Sequence, residues 1–214
     1  FRQRFQTESR AIAKLSHSNI VGVYDVSHTD SIEYIVMELV DGITLKQYMM
    51  EHGKLTMDEV MPIIVPIMGA LEKIHDKGMI HRDVSPSNIM VLPDGRVRLL
   101  DFGADKEVTP HTQNLTVMSS VYKYGCSPIE QQTVGLRQGP FTDIYALGAT
   151  FYYALTGKRP PDSIDRMEED ELVPPSRLGA IITKDAEDAI MMAMNVQPQE
   201  RFQSMLAFKN AMLI

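Results

Sequence analysis

Two short apolar runs, residues 89–92 and 97–100, are separated by Pro93-Asp94-Gly95. Apolar segments on either side of a Pro-Asp-Gly turn read as a β-hairpin. A hairpin returns its outer ends to one side, and here those ends carry Asn88 and Asp101. The chain must therefore fold so that an amide and a carboxylate thirteen positions apart stand beside each other on a short support.

The rest of the chain has the means to bury that support. With 214 residues and 44% apolar composition it can build one substantial core, either as a single domain or as two lobes sharing a cleft, and disorder is excluded. A formal charge of -7 argues against a nucleic-acid partner, which calls for a basic face. Cys126 is the single cysteine, so no internal disulfide can form; without a signal-like start, this fits a reducing, cytoplasmic setting. The longest apolar run, residues 61–71, falls short of the roughly 20 residues of a membrane span and contains Pro62 and Pro66, so no membrane contact is expected from this segment. The chain starts at Phe1 with a helical pattern already under way, which leads us to expect a fragment of a longer protein, one that could be anchored elsewhere with this part on the cytoplasmic side.

Phe5, Ile12 and Leu15 at helical spacing, with charged residues between them, predict an amphipathic helix ending near Ser16. Residues 21–26 and 32–37 are rich in β-branched side chains and flank Ser27-His28-Thr29-Asp30, predicting a hairpin. A short helix is expected over 45–50, after the Asp41-Gly42 break. Thr56 with Glu59 three positions on is a capping-box pattern; it opens a helix to about Asp76, with Gly78 as the stop, and the interior Pro62 and Pro66 should bend it. Residues 105–120 are polar and aperiodic and predict a mobile loop. Residues 143–155 are apolar nearly all round, the mark of a helix buried on every side, with Asp143 at its opening as a good N-cap. Helices near 185–194 and 204–213 complete a mainly helical C-terminal half.

The block His81-Arg82-Asp83-Val84-Ser85-Pro86-Ser87-Asn88, followed by Asp101-Phe102-Gly103, resembles the catalytic signature of protein kinases. The likeness covers nearly the whole chain and is to the bacterial branch of the eukaryotic-type Ser/Thr kinases. It implies an α+β, bilobal kinase-like fold, with a remnant of the small N-lobe over residues 1–40 and a mainly α-helical C-lobe over 41–214. It also implies an enzyme that transfers the γ-phosphoryl group of ATP to Ser or Thr hydroxyls of protein substrates with Mg²⁺, or Mn²⁺, as the metal. Under the resemblance Asp83 orients or accepts the hydroxyl proton, while Asn88 and Asp101 hold metal. Glu8 resembles the C-helix glutamate that pairs with a strand lysine. Met37 stands in the gatekeeper place, Glu38 and Val40 offer backbone groups to adenine, and Met90 resembles the residue that packs under the ring. Ser127-Pro128-Ile129-Glu130 looks like a variant of the Ala-Pro-Glu block, whose Glu130 is expected to pair with Arg201. Asp143 resembles the aspartate that holds the catalytic-loop backbone. Arg82 is expected to face a phosphate on the segment before Glu130, with Thr109, Thr112, Thr116, Ser119 and Ser120 as candidate acceptors.

The pattern departs from the family in two places. Ser85 stands where these kinases usually carry a lysine that touches the transferred phosphate, and Lys123, where the family usually has Thr, is a candidate to replace the charge. No G-x-G-x-x-G stretch and no V-A-I-K-like lysine occur in the sequence. These departures support a competing reading as a pseudokinase-like binding module for nucleotide or protein, and the shared Asp and Asn support another as a small-molecule phosphotransferase. The intact Asp83, Asn88 and Asp101 favour an enzyme. Glu130, Arg201 and the Ser/Thr-rich segment favour a protein substrate.

Overall fold

A computed structural model describes residues 15–29, 33–100 and 123–213. Strands β1 (Val23–His28) and β2 (Glu33–Met37) pair antiparallel, with Val26 opposite Ile35 and a bulge between Val23 and Asp25. The first strand thus runs through Ser27 and His28, two residues that the sequence assigns to the turn, because their pairing with Tyr34 and Glu33 extends the ladder. The expected N-terminal helix and the stretch 105–120 lie outside the described residues.

The hairpin that holds the site is β4 (Ile89–Val91) with β5 (Val97–Leu99). Its turn closes through Leu92 N–H to the Arg96 carbonyl at 2.8 Å, with Gly95 at φ 82°, a left-handed geometry that favours glycine. A two-residue strand β3 (Ile43–Thr44) adds to β4, giving a three-stranded order β3-β4-β5. The two sheets connect through residues 19–21. Val21 N–H donates to the Leu99 carbonyl at 3.0 Å, Leu99 N–H donates to the Asn19 carbonyl at 2.8 Å, and the Asn19 side chain donates to the Val97 carbonyl.

Helix α1 (Leu45–His52) starts at a Thr44–Gln47 capping box and outlasts its expected end at 50. Helix α2 (Met57–His75) begins with the predicted Thr56–Glu59 box and runs as unbroken α-helix through Pro62 and Pro66. It stops where Gly78, at φ 71°, donates its N–H to the His75 carbonyl. The repeat of Val60, Ile63, Ile64, Ile67, Leu71 and Ile74 lays one face against β5 and against the helices over Pro140–Thr156 and Met205–Met212. A short helix α3 (Ile129–Gln132) precedes α4 (Pro140–Thr156).

Helix α4 is the centre of the core. All but three of its residues are buried, and at Gly148 it approaches α6 (Lys184–Ala193) so closely that an added Cβ would meet Ala193 Cβ at 3.1 Å. It begins at Pro140 and not at Asp143 as the apolar pattern suggests: proline suits the first helical position, and the Gly139 N–H is taken by Thr142 Oγ1 at 3.2 Å. The short α5 (Asp165–Glu168) and the last helix α7 (Met205–Met212), capped by Ser204, complete the element order. Among the described residues no helix is long and apolar enough to cross a membrane.

Candidate active site

The loop between α2 and β4 carries His81 to Asn88, and its shape is set by a carboxylate from α4. Asp143 is fully buried; its Oδ2 accepts the His81 N–H at 2.8 Å and its Oδ1 the Arg82 N–H at 2.8 Å. His75, at the end of α2, donates Nε2–H to the same Oδ2 at 2.8 Å. Asp143 therefore sits one turn inside its helix and does not cap it: its carboxylate is committed to the loop. Arg82 has φ 68°, and it is the one non-glycine residue with positive φ among those described. Holding a side chain there costs on the order of 1–3 kcal/mol, and the paired N–H bonds to Asp143 are what maintain it.

Four further bonds hold the candidate site residues in place. The Asp83 N–H donates to His81 Nδ1 at 3.2 Å, so His81 carries its proton on Nε2 and donates it to the Leu100 carbonyl at 2.8 Å. Asn88 donates its side-chain N–H to the Asp83 carbonyl at 2.8 Å. With the nitrogen committed inward, the carboxamide presents its oxygen, a hard donor of the kind a divalent cation takes. The Leu100 N–H donates to the Asn88 carbonyl at 2.8 Å, so the strand leading to Asp101 ends beside Asn88, as the hairpin reading requires. Asp101 itself lies outside the described residues, as do Glu8, Thr109, Thr112, Thr116, Ser119 and Ser120.

Lys123 enters this loop from the other side. Its ammonium lies 2.8 Å from Asp83 Oδ1 and 2.9 Å from Ser85 Oγ. Ser85 is buried, whereas the lysine side chain keeps about a third of its surface open at 32%. The cation that the sequence lacks at position 85 is thus present in space, carried by residue 123.

The expected Glu130–Arg201 pair is a two-pronged fork, with Nη1 to Oε1 at 2.7 Å and Nη2 to Oε2 at 3.1 Å, and both side chains have no exposed surface. The Thr142 hydroxyl donates to Glu130 Oε1 at 2.9 Å, and the Arg201 guanidinium lies 4.7 Å over the Tyr145 ring. The pair locks α3, and with it residues 123–132, onto the helical core. From α3, Gln131 donates its side-chain N–H to the Arg82 carbonyl at 2.7 Å. Arg82 Nε is buried without a hydrogen-bond partner among the described residues.

Met37 ends β2; the Glu38 N–H donates to the Gly22 carbonyl at 2.7 Å, and its carboxylate lies 3.7 Å from the Arg98 guanidinium. Arg98 is the cross-strand neighbour of Met90 in the β4–β5 ladder, so the Glu38 carboxylate reaches the strand pair that carries Met90. His75, Gln131, Thr142 and Tyr145 escaped the sequence reading. Each acts through a partner more than ten residues away, and nothing local marks such a residue.

The protein kinase domain family matches residues 1–211, and the chain belongs to that family. Its curated relatives include the probable serine/threonine-protein kinase PknB of Lactococcus lactis, 40% identical over 92% of this chain and 29% of that protein. The protein of the same name in Corynebacterium glutamicum is 35% identical over 95% of this chain and 34% of its own length, and the serine/threonine-protein kinase PknB of Mycobacterium tuberculosis is 31% identical over 95% and 34%. This chain therefore spans about a third of those relatives. Among solved structures, Rad53 1-466 in complex with AMP-PNP matches with a TM-score of 0.75 at 23% identity, covering 98% of this chain and 54% of that one. The kinase-like α+β fold expected from the two motif blocks is the fold observed.

Proposed function

We propose that this chain is the phosphoryl-transfer core of an ATP-dependent protein serine/threonine kinase of the bacterial type. The observation that carries the reading is the loop clamped by Asp143, which holds Asp83 and Asn88 together at the open end of the β4–β5 hairpin. In the reaction the substrate Ser or Thr oxygen bonds to the γ-phosphorus while the bond from that phosphorus to the β–γ bridging oxygen breaks. ADP leaves with the electron pair, and the hydroxyl proton passes to the Asp83 carboxylate. Asn88 Oδ1 and the Asp101 carboxylate are hard oxygen donors suited to Mg²⁺, with Mn²⁺ as the substitute, and the metal's contribution is to neutralise phosphate charge. Adenine is expected along Met37, Glu38, Val40 and Met90.

A protein substrate is favoured by the Glu130–Arg201 fork, which fixes a platform beside the catalytic loop. Arg82, whose buried Nε has no hydrogen-bond partner among the described residues, is the expected partner of a phosphate on Thr109, Thr112, Thr116, Ser119 or Ser120. We assign the work to the cytoplasmic side, where ATP is available and Cys126 stays reduced.

The test is transfer of labelled γ-phosphate by the full-length protein, to itself and to a generic basic protein, beside Asp83→Asn and Asp101→Asn variants. Label on Ser or Thr that falls by two orders of magnitude or more in Asp83→Asn is expected, as for loss of a general base worth about 10²–10⁴ in rate. Bound ATP with no transfer would make the chain a binding module. Label on a free small molecule with none on protein would make it a small-molecule phosphotransferase.

A further inference from the structure

We infer that Lys123 is the catalytic cation of this site: its ammonium contacts the transferred phosphoryl group, and Ser85 is its seat. The inference rests on the phosphoryl-transfer reading above and deepens it. A phosphoryl group in flight spreads negative charge over its oxygens, and Asp83, the group that must approach it, is itself negative. A compensating positive charge has to stand within a few ångströms of both. Position 85 of the loop does not supply it, because its serine hydroxyl carries no charge.

Lys123 meets the requirement. An ammonium has three N–H donors in tetrahedral array. Among the described residues one is directed to Asp83 Oδ1 at 2.8 Å and one to Ser85 Oγ at 2.9 Å, which leaves a third for an anionic oxygen next to the base. The side chain is partly exposed, as contact with an incoming ligand needs, whereas its seat at Ser85 is 2% exposed and fixed.

An ordinary surface ion pair has no reason to be built this firmly, and the backbone of Lys123 is bolted down. Its N–H donates to Ser127 Oγ at 3.1 Å, and its carbonyl accepts from both Cys126 N–H at 2.8 Å and Ser127 N–H at 3.0 Å. The turn passes through Gly125 at φ 77°, where a Cβ would strike the Pro160 carbonyl oxygen at 2.5 Å. The Ser127 carbonyl in turn accepts from Ser163 Oγ at 2.9 Å and Gln132 Nε2 at 2.9 Å. A cation delivered by a preorganised turn costs little reorganisation when charge develops. The consequence is a coupling: the charge rides on the segment anchored by Glu130, so the site is electrostatically complete only while residues 123–132 are docked on the core.

The experiment compares full-length wild type with Lys123→Met, Lys123→Thr and the exchange variant Ser85→Lys with Lys123→Thr, measuring kcat and KM for protein phosphorylation and binding of ADP and of a non-hydrolysable ATP analogue. Loss of one such donor is expected to lower kcat by about 10²–10³-fold in Lys123→Met, to weaken the ATP analogue and to leave ADP unchanged. The exchange variant, which returns the ammonium to the same contact from the opposite side, is expected to recover most of the rate lost in Lys123→Thr. A Lys123→Met enzyme within threefold of wild type, or an exchange variant no better than Lys123→Thr with both folded by circular dichroism, overturns the inference. Wild type that binds the ATP analogue yet transfers nothing overturns the kinase reading instead; the contact of Lys123 with the γ-phosphate is then decided by whether Lys123→Met loses the preference for the analogue over ADP.

Discussion

Asp143 fixes the backbone of the loop that carries Asp83 and Asn88. One carboxylate takes two consecutive backbone N–H groups and a histidine proton, and the energy of those bonds offsets the left-handed backbone at Arg82. Hydrogen bonds to a charged group are worth about 1.5–3 kcal/mol each, and orphaned buried donors are penalised further. Asp143→Ala is therefore expected to lower unfolding free energy by about 3 kcal/mol or more in urea, and to abolish transfer even where the protein still folds. Cys126, close beyond Lys123, is chemically quiet for the opposite reason. Burial pushes its thiol up to about 11, against the smaller downward pull of the Lys123 charge. The thiol stays protonated at pH 8, so the folded protein should resist iodoacetamide there and react rapidly once unfolded in guanidinium. Prompt alkylation of the folded protein would show that the thiol is accessible. At this scale Asp83, Asn88 and Glu130 stand out in the sequence through motif spacing, and the roles proposed for them start from that spacing. The apolar pattern puts Asp143 at the start of its helix, whereas proline at 140 starts that helix three residues earlier.

The long helices and the β4–β5 hairpin were readable because each repeats a local signal several times: an apolar period, a capping box, a Pro-Asp-Gly turn. Strand β3 has two residues and therefore no period, and the four-residue α3 and α5 are too short to show one. Such elements form because neighbours offer hydrogen-bond partners and burial, which no local window contains. The contact between α4 and α6 illustrates the same limit. Glycine inside a helix is unfavourable by about 1 kcal/mol relative to alanine, so propensity alone would favour replacing Gly148. Packing reverses the sign for a large substituent, since Met194 Cγ and Ala193 Cβ stand 3.0 and 3.1 Å from where a Cβ on residue 148 would lie. Gly148→Val is expected to destabilise by about 2 kcal/mol through overpacking, read as a lower urea midpoint with an unchanged slope.

Across the whole molecule, order is concentrated where burial is. Helices α2 and α4 lay their buried residues into one continuous core, while the β1–β2 pair leaves Tyr24 at 72%, Tyr34 at 43% and Val36 at 43% exposure. Local opening is easiest where few apolar contacts must be broken. Amide exchange should be slowest in the middle of α4 and α2 and faster by orders of magnitude in β1 and β2; equal protection of the two regions would contradict this distribution. By itself the sequence determined the residue types that the proposed phosphoryl transfer calls for and the hairpin that follows Asn88, because both are written in short windows of chain. Only the tertiary structure decided where the positive charge stands. Residues 83 and 123 meet because a carboxylate in α4 bends one loop and a fork between residues 71 positions apart docks the other, and long-range contacts of that kind leave no period in the chain.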